Sequence, residues 1–266
     1  MSIKISFNKN LSEKSVKNYV FFCDYDFKIY GLNKLKISNQ SSLINKIINS
    51  NKSKDKKIIL FNLNPYQRII LIKIKKELSS TDNEKKGANF YNFLKSNQIF
   101  DSTFFEENIK DVAAKNKLFI NEFFHGLELK SYEFDKYKSK KKKETFNINV
   151  KIKTKYFDQK NNKRFNSLLE GTNLTKDLVS EPGNVLHPDE YAKRITQLKK
   201  YGLKVTVYDE KKLKKLGMNA LLGVGQGSIR GSYLVTIEWN GSKKNSKPLA
   251  FVGKGVCFDT GGISLK

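Results

Sequence analysis

The sequence contains few cysteines, prolines and tryptophans and no long hydrophobic run. Its 266 residues include two Cys, four Pro and one Trp, and two Cys are too few for a disulfide framework. No apolar run approaches the roughly 18 to 20 residues of a membrane helix. The N-terminal segment also has no apolar signal-peptide core. We therefore expect a cytoplasmic, reduced protein with no membrane association.

Arginine is scarce as well, although the chain is strongly basic. The formal net charge is +25, yet only four of the 51 basic residues are Arg and the other 47 are Lys. Surfaces that read DNA grooves or grip phosphates favour Arg, whose planar fork makes paired hydrogen bonds. The excess of positive charge is also evenly distributed, with a net charge of +13 in residues 1–150 and +12 in residues 151–266. The charge thus indicates compositional bias more than a selected binding face, and nucleic acid stays open as a partner.

The distribution of glycine and proline indicates two parts of the chain, because 13 of the 16 Gly and three of the four Pro follow residue 150. Between the two parts lies a lysine-rich segment, 136–146, whose like charges would repel one another inside a packed element. We predict an N-terminal α/β domain at 1–135, a linker at 136–146 and a second domain at 147–266.

Alternating strand and helix patterns occur in both parts. In the first part, the patterns predict strands at 3–7, 18–23, 58–62 and 69–74, and helices at 41–50, 88–95 and 110–129. In the second, they predict strands at 147–155, 202–209, 232–239 and 248–259, and helices at 161–182, from Pro188 onward and at 210–217. The fold class is therefore α/β, with a mixed sheet flanked by helices.

The two histidines do not indicate a metal site. His125 lies near the end of a predicted helix and has no His or Cys partner at ligand spacing, so a packed ring or a cap is expected. His187 directly precedes Pro188, a residue typical of the first helical turn, and it is expected to neighbour the helix N-terminus.

The chemistry-bearing segment is 251-FVGKGVCFDTGGISLK-266. Lys254 interrupts an otherwise apolar predicted strand, and Asp259 follows at its end, where α/β sheets commonly place ligands. A cation site lined by oxygen and nitrogen would explain both residues, since a metal can bind a neutral amine while a carboxylate balances its charge. A salt bridge between Lys254 and Asp259 explains the spacing equally well. A phosphate-cradling glycine loop is a weaker third alternative.

The same segment resembles the signature of the cytosolic leucine aminopeptidases, which reads close to VGKGxTFDxGGxSLK. Three other segments, 126–142, 177–192 and 216–228, are similar to parts of the same family. Ser180 and Cys257 depart from the usual Asn and Thr, but neither position is a metal ligand in the family. Residues 1–109 match only in their α/β alternation, as the family's smaller N-terminal domain.

The resemblance implies a role for several residues. Lys254 would ligate one of two divalent metal ions, Mn²⁺ or Zn²⁺, and Asp259 would ligate or bridge them. Lys266 would help polarise the peptide carbonyl. Thr260 and Gly262 are expected to shape the pocket floor, a role that the resemblance does not itself supply. The family also implies peptide substrates, a hexamer and a bicarbonate in the full-length form.

Two metal ions need more carboxylates than this sequence offers near the signature. The family carries further Asp, Glu and Arg residues C-terminal to the position of Lys266. We therefore expect these 266 residues to be the N-terminal part of such an enzyme, a truncated form. Alone, it should bind metal poorly, hydrolyse leucine amides negligibly and expose apolar surface. The alternative is an inactive relative that binds nucleic acid through Lys136 to Lys143, with a steep salt dependence.

Overall fold

The computed structural model describes residues 2–8, 15–34, 37, 40–51, 56–75, 79–113, 116–139, 145–151, 159–241 and 247–257. The chain forms two compact units, Met1–Leu174 and Thr175–Lys266. Among the described residues, no helix is long and apolar enough to cross a membrane.

A six-stranded sheet in the order β1-β6-β5-β2-β4-β3 organises the first unit. Neighbouring strands are parallel except for β3 and β4, which form an antiparallel hairpin. Strands β2 and β4 are almost wholly buried, as expected for interior strands covered on both faces. The strands are β1 Ser2–Asn8, β2 Asn18–Cys23, β3 Ile58–Asn64, β4 Gln67–Lys73, β5 Asp101–Phe105 and β6 Thr145–Lys151.

Helices cover both faces of this sheet. They are α1 Ser41–Asn51, α2 Ser80–Ser96, α3 Glu106–Ala113, α4 Phe119–Ser131 and α5 Gln159–Ser180, which continues past Leu174. Strand β2 shows the two-faced arrangement, because successive side chains of a strand point to opposite faces. Phe22 joins a core with residues of α2 and α4, whereas Phe21 joins a second core with residues of α1.

Helices α2 and α4 approach each other closely through two glycines. A Cβ atom on Gly87 would lie 1.8 Å from the Phe123 carbonyl oxygen, and one on Gly126 would lie 2.0 Å from the Glu84 carbonyl oxygen. Each glycine therefore lets the backbone of one helix contact the backbone of the other, and any larger residue would force the helices apart.

A buried asparagine holds α3 against the sheet. Asn108 is fully buried, and its Oδ1 accepts a hydrogen bond from the Phe22 amide at 2.7 Å. Its Nδ2 donates to the carbonyl oxygens of Phe22 and Tyr30 at 2.9 and 2.8 Å. This one side chain satisfies backbone groups on two segments, and the sequence patterns did not single it out.

The second unit contains a two-stranded antiparallel sheet and short helices. Its strands are β7 Lys204–Tyr208 and β8 Leu234–Glu238, and its helices are α6 Pro188–Thr196, α7 Glu210–Lys215 and α8 Asn219–Gly225. The strands and helices predicted between residues 188 and 239 are therefore confirmed, whereas α8 was not predicted.

Three predictions of local structure were wrong. The helix expected at 110–129 is two helices, because Asn116 makes a turn in which its Oδ1 accepts from the Leu118 amide and starts α4. Strand β5 was missed. Residues 248–257 of the last predicted strand have no regular structure, and side chains such as Val252, 99% exposed, lie open rather than in a sheet. Residues 258 and 259 lie outside the described part.

The lysine-rich segment precedes a strand of the first unit. Strand β6, which was assigned to the second half of the chain, pairs with both β1 and β5. The sheet of the first unit is therefore completed by residues that follow 136–146. The division into domains at 1–135 and 147–266 stays a prediction.

Candidate active-site segment

Lys254 is the one predicted site residue that the described part of the structure contains. It lies in the irregular segment 247–257 and its side chain is exposed, so the prediction that Lys254 lies within a strand was wrong. Asp259, Thr260, Gly262 and Lys266 lie outside the described residues. Their roles, and the alternative salt bridge of Lys254 with Asp259, stay predictions.

Gly255 anchors this segment on helix α6. A Cβ atom on Gly255 would lie 2.9 Å from Cε1 of the Tyr191 ring, so the backbone at this point packs directly on the aromatic side chain. Burial raises the pKa of the nearby Cys257 thiol, with a further contribution from the charge of Asp189. Both observations place the segment beside the N-terminal half of α6. Sequence spacing carried no signal for Tyr191, because this contact depends on tertiary packing.

The start of α6 is polar and charged. His187 is its N-cap residue and Pro188 occupies the first turn, which confirms the expectation for His187. The His187 ring is hydrogen-bonded to Asp189, and Arg230 lies 3.3 Å from the other Asp189 carboxylate oxygen. Desolvation alone would raise the pKa of Asp189, but the hydrogen bond from His187 and the charge of Arg230 bring it below its ordinary value.

Arg194 joins two carboxylates in the same region. Its Nη1 lies 2.8 Å from Glu181, whose side chain is 2% exposed, and its Nε lies 3.0 Å from Glu190. The hydrogen bonds to these two carboxylates raise the pKa of Arg194, so the guanidinium stays charged. These ion pairs of Arg194 link the C-terminal end of α5 to α6.

Replacing Arg194 by Met is expected to destabilise the protein by roughly 2 to 3 kcal/mol, because the buried Glu181 carboxylate loses the guanidinium that lies 2.8 Å from it. Arg230→Met is the matched control. Its partner Asp189 is 40% exposed, so the loss should stay below about 1 kcal/mol. Urea denaturation of the two variants measures the difference, and equal losses would contradict the role given to Arg194.

The described residues do not by themselves fit a pair of divalent ions. Among them, no three His, Cys, Asp or Glu side chains lie together as a ligand set. Lys254 offers one nitrogen donor, whereas a divalent ion in a protein takes at least four ligands. The predicted carboxylate, Asp259, lies outside the described part.

His125 is a packed ring, as predicted. It is 6% exposed in α4, its ring centroid lies 5.1 Å from that of Phe165, and its Nδ1 lies 2.9 Å from a Glu84 carboxylate oxygen. These contacts hold the ring in the packed interior of the first unit.

The second part of the chain matches a known protein family. Residues 173–266 match the model of the cytosol aminopeptidase family, catalytic domain. The resemblance to this family is confirmed. The aminopeptidase match includes Lys254 and the signature segment, and it begins within α5.

Curated relatives carry the same name. The chain is 50% identical over 155 residues to a probable cytosol aminopeptidase of Phytoplasma mali. The aligned region covers 55% of this chain and 31% of the relative. The chain is 49% identical over 145 residues to one from a Bradyrhizobium strain, covering 53% and 29%. The aligned part thus spans about three-tenths of the length of these relatives.

Several solved structures share the fold of this chain. A tomato leucine aminopeptidase mutant superposes with a TM-score of 0.75 at 20% identity, covering 98% of this chain and 55% of that one. The Coxiella burnetii cytosol aminopeptidase gives 0.61 at 15% identity, covering 88% and 46%. The bottromycin maturation enzyme BotP, solved in complex with Mn, gives 0.60 at 15% identity, covering 85% and 46%. The predicted α/β fold with a mixed sheet flanked by helices is confirmed.

Proposed function

We propose that this chain contributes to the active site of a metal-dependent aminopeptidase that releases N-terminal residues from peptides, with a preference for leucine. The observation that carries the proposal is the match of residues 173–266 to the catalytic domain of the cytosol aminopeptidases. Since the relatives are named for the cytosol, we place this activity in the cytoplasm.

Individual residues of this chain would have separate roles in the reaction. Lys254 would hold a metal ion through its amine, and Asp259 through its carboxylate. Lys266 would stay charged and hold the carbonyl oxygen of the scissile peptide bond, while Thr260 and Gly262 would border the substrate. When bound, two divalent ions, Mn²⁺ or Zn²⁺, would supply the Lewis acid that activates water.

The exposure of Lys254 supports this role, because an amine open to solvent can be reached by both metal and substrate. BotP, a fold neighbour, was solved with Mn, which supports a transition metal in this fold. The bicarbonate and the hexamer implied by the family stay predictions, as does negligible activity of the 266-residue chain alone.

A hybrid enzyme tests the proposal. Residues 173–266 would replace the matching segment of the Phytoplasma mali relative, whose remaining sequence is kept. We expect the hybrid to hydrolyse leucine p-nitroanilide in Mn²⁺ within about tenfold of the unaltered relative, because the signature residues are retained. A folded hybrid with activity no higher than a metal-free control would overturn the proposal.

Nucleic-acid binding is not favoured as the function, because the family match is to a peptidase domain. The basic charge keeps it testable. A duplex affinity that falls steeply with salt and disappears when Lys136 to Lys143 are neutralised would revive it.

A further inference from the structure

A small polar cavity lies in the first unit. It measures about 130 Å³ and is bordered by β1, α4 and the first turns of α5. Asn121 and Glu128 face it from α4, and Asn162 and Asn166 face it from α5. The spacings of seven and four residues put each pair on one side of its helix. Four side chains that carry oxygen atoms therefore converge on one cavity.

Two of these groups lack a partner among the described residues. Asn121 is 5% exposed, and its Nδ2 has no hydrogen bond within the part of the chain that the structure describes. The Glu128 carboxylate likewise makes no hydrogen bond or ion pair with another described residue. Buried polar groups are normally satisfied, so the unpartnered amide of Asn121 indicates a ligand rather than a packing role. The half-buried Glu128 carboxylate faces the same cavity.

The Glu128 carboxylate also has no neighbouring positive charge among the described residues. Burial raises the pKa of its carboxyl to about 7, and no neighbouring charge contributes. Glu128 is the single titratable side chain among the described residues that line the cavity, since β1 and α5 contribute only apolar and amide groups there. No Lys or Arg of the described residues shifts the pKa of this carboxyl, so the ionised carboxylate can take its counter-charge from a cation in solution.

We propose that this cavity binds a small cation through the carboxylate of Glu128 and the amide groups of Asn121, Asn162 and Asn166. Carboxylate and amide oxygens are the ligands of hard metal ions. Rotation of the Asn121 amide exchanges its nitrogen for its oxygen. The rings of Phe124 and Phe165 also border the cavity and suit an organic ammonium ion. A metal ion and an organic ammonium ion share one property here, a positive charge that the oxygen atoms of these side chains can contact.

Calorimetric titration of the 266-residue chain with CaCl₂, KCl and methylammonium chloride tests the proposal. At pH 8 we expect one saturable site for at least one of these probes, with at least tenfold weaker binding in Glu128→Gln. Glu170→Gln, which changes an exposed carboxylate on α5, is the matched control and should bind like the parent. The probe that binds distinguishes a metal ion from an amine. Absence of saturable binding, or equal binding by Glu128→Gln, overturns the site.

The pH dependence gives a second test. Because Glu128 passes from mostly protonated to mostly ionised across a pKa of about 7, binding should tighten about tenfold between pH 6 and pH 8. Affinity that does not change with pH would contradict the role of Glu128.

Stability without added cation provides a check on folding. The folded pKa of Glu128, about 7, lies above its ordinary value of 4.5, so the parent loses stability as pH rises through this window. Glu128→Gln lacks this cost and should therefore have a higher Tm than the parent at pH 8. Asn162→Ala, which shortens a half-buried side chain, should weaken cation binding while leaving Tm nearly unchanged, and unchanged binding would count against the site.

Discussion

Replacing Lys254 by Met in the active hybrid should lower kcat/KM for leucine p-nitroanilide by at least about 100-fold, the loss typical of removing a group that stabilises charge at a reacting centre. Methionine keeps the length of the side chain but removes the amine that would hold the metal. Since the Lys254 side chain is exposed in the described part of the structure, the unfolding midpoint should not change. Activity assays with Mn²⁺ and metal content of the dialysed protein give the two readouts.

Lys247→Met is the matched control for this experiment. Lys247 is also exposed and lies in the same irregular segment, outside the signature. Its replacement should leave both activity and metal content unchanged. If Lys254→Met keeps full activity, or if both variants lose activity equally, Lys254 does not hold the metal.

Replacing Gly87 by Ala should destabilise the first unit by about 3 kcal/mol, at the upper end of the cost of overpacking. The added methyl group would lie 1.8 Å from the Phe123 carbonyl oxygen, a backbone atom that cannot rotate away. Helices α2 and α4 would have to separate, and contacts such as Phe90 with Phe123 would loosen. Guanidinium denaturation measures the loss.

Gly171→Ala is the opposite case on another helix. A Cβ atom there would meet no described residue within 4 Å outside its own helix backbone, so alanine should stabilise α5 by about 0.5 to 1 kcal/mol through its higher helix propensity. If Gly87→Ala is as stable as Gly171→Ala, the close approach of α2 and α4 is wrong.

Much of the secondary structure could be predicted from local patterns. Strand β2 was predicted with its observed bounds, because 18-NYVFFC-23 is a short, bounded apolar run that suits an interior strand. Helix α6 was predicted to begin at Pro188, since proline lacks an amide hydrogen that the first turn does not need. In both cases the residues that determine the element lie within it.

Two of the failures, the missed strand β5 and the strand expected at 248–259, share one physical cause, which is dependence on residues distant in the chain. Strand β5 contains Ser102 and Thr103, polar residues that are buried because β6 and β2 pair on either side. The apolar segment 248–257 has strand-like residues but no described partner strand, and apolar pattern without pairing does not hold a strand.

The sequence by itself determined the α/β class, most helices and strands, and the signature segment with Lys254 and Asp259, because each depends on residue types at short spacing. Only the tertiary structure decided that Gly87 and Gly126 join two helices, that Gly255 packs on Tyr191, and that Glu128 faces an amide-lined cavity with no counter-charge from the described residues. These features arise from contacts between segments far apart in the chain, and burial and charge compensation exist only once those segments meet.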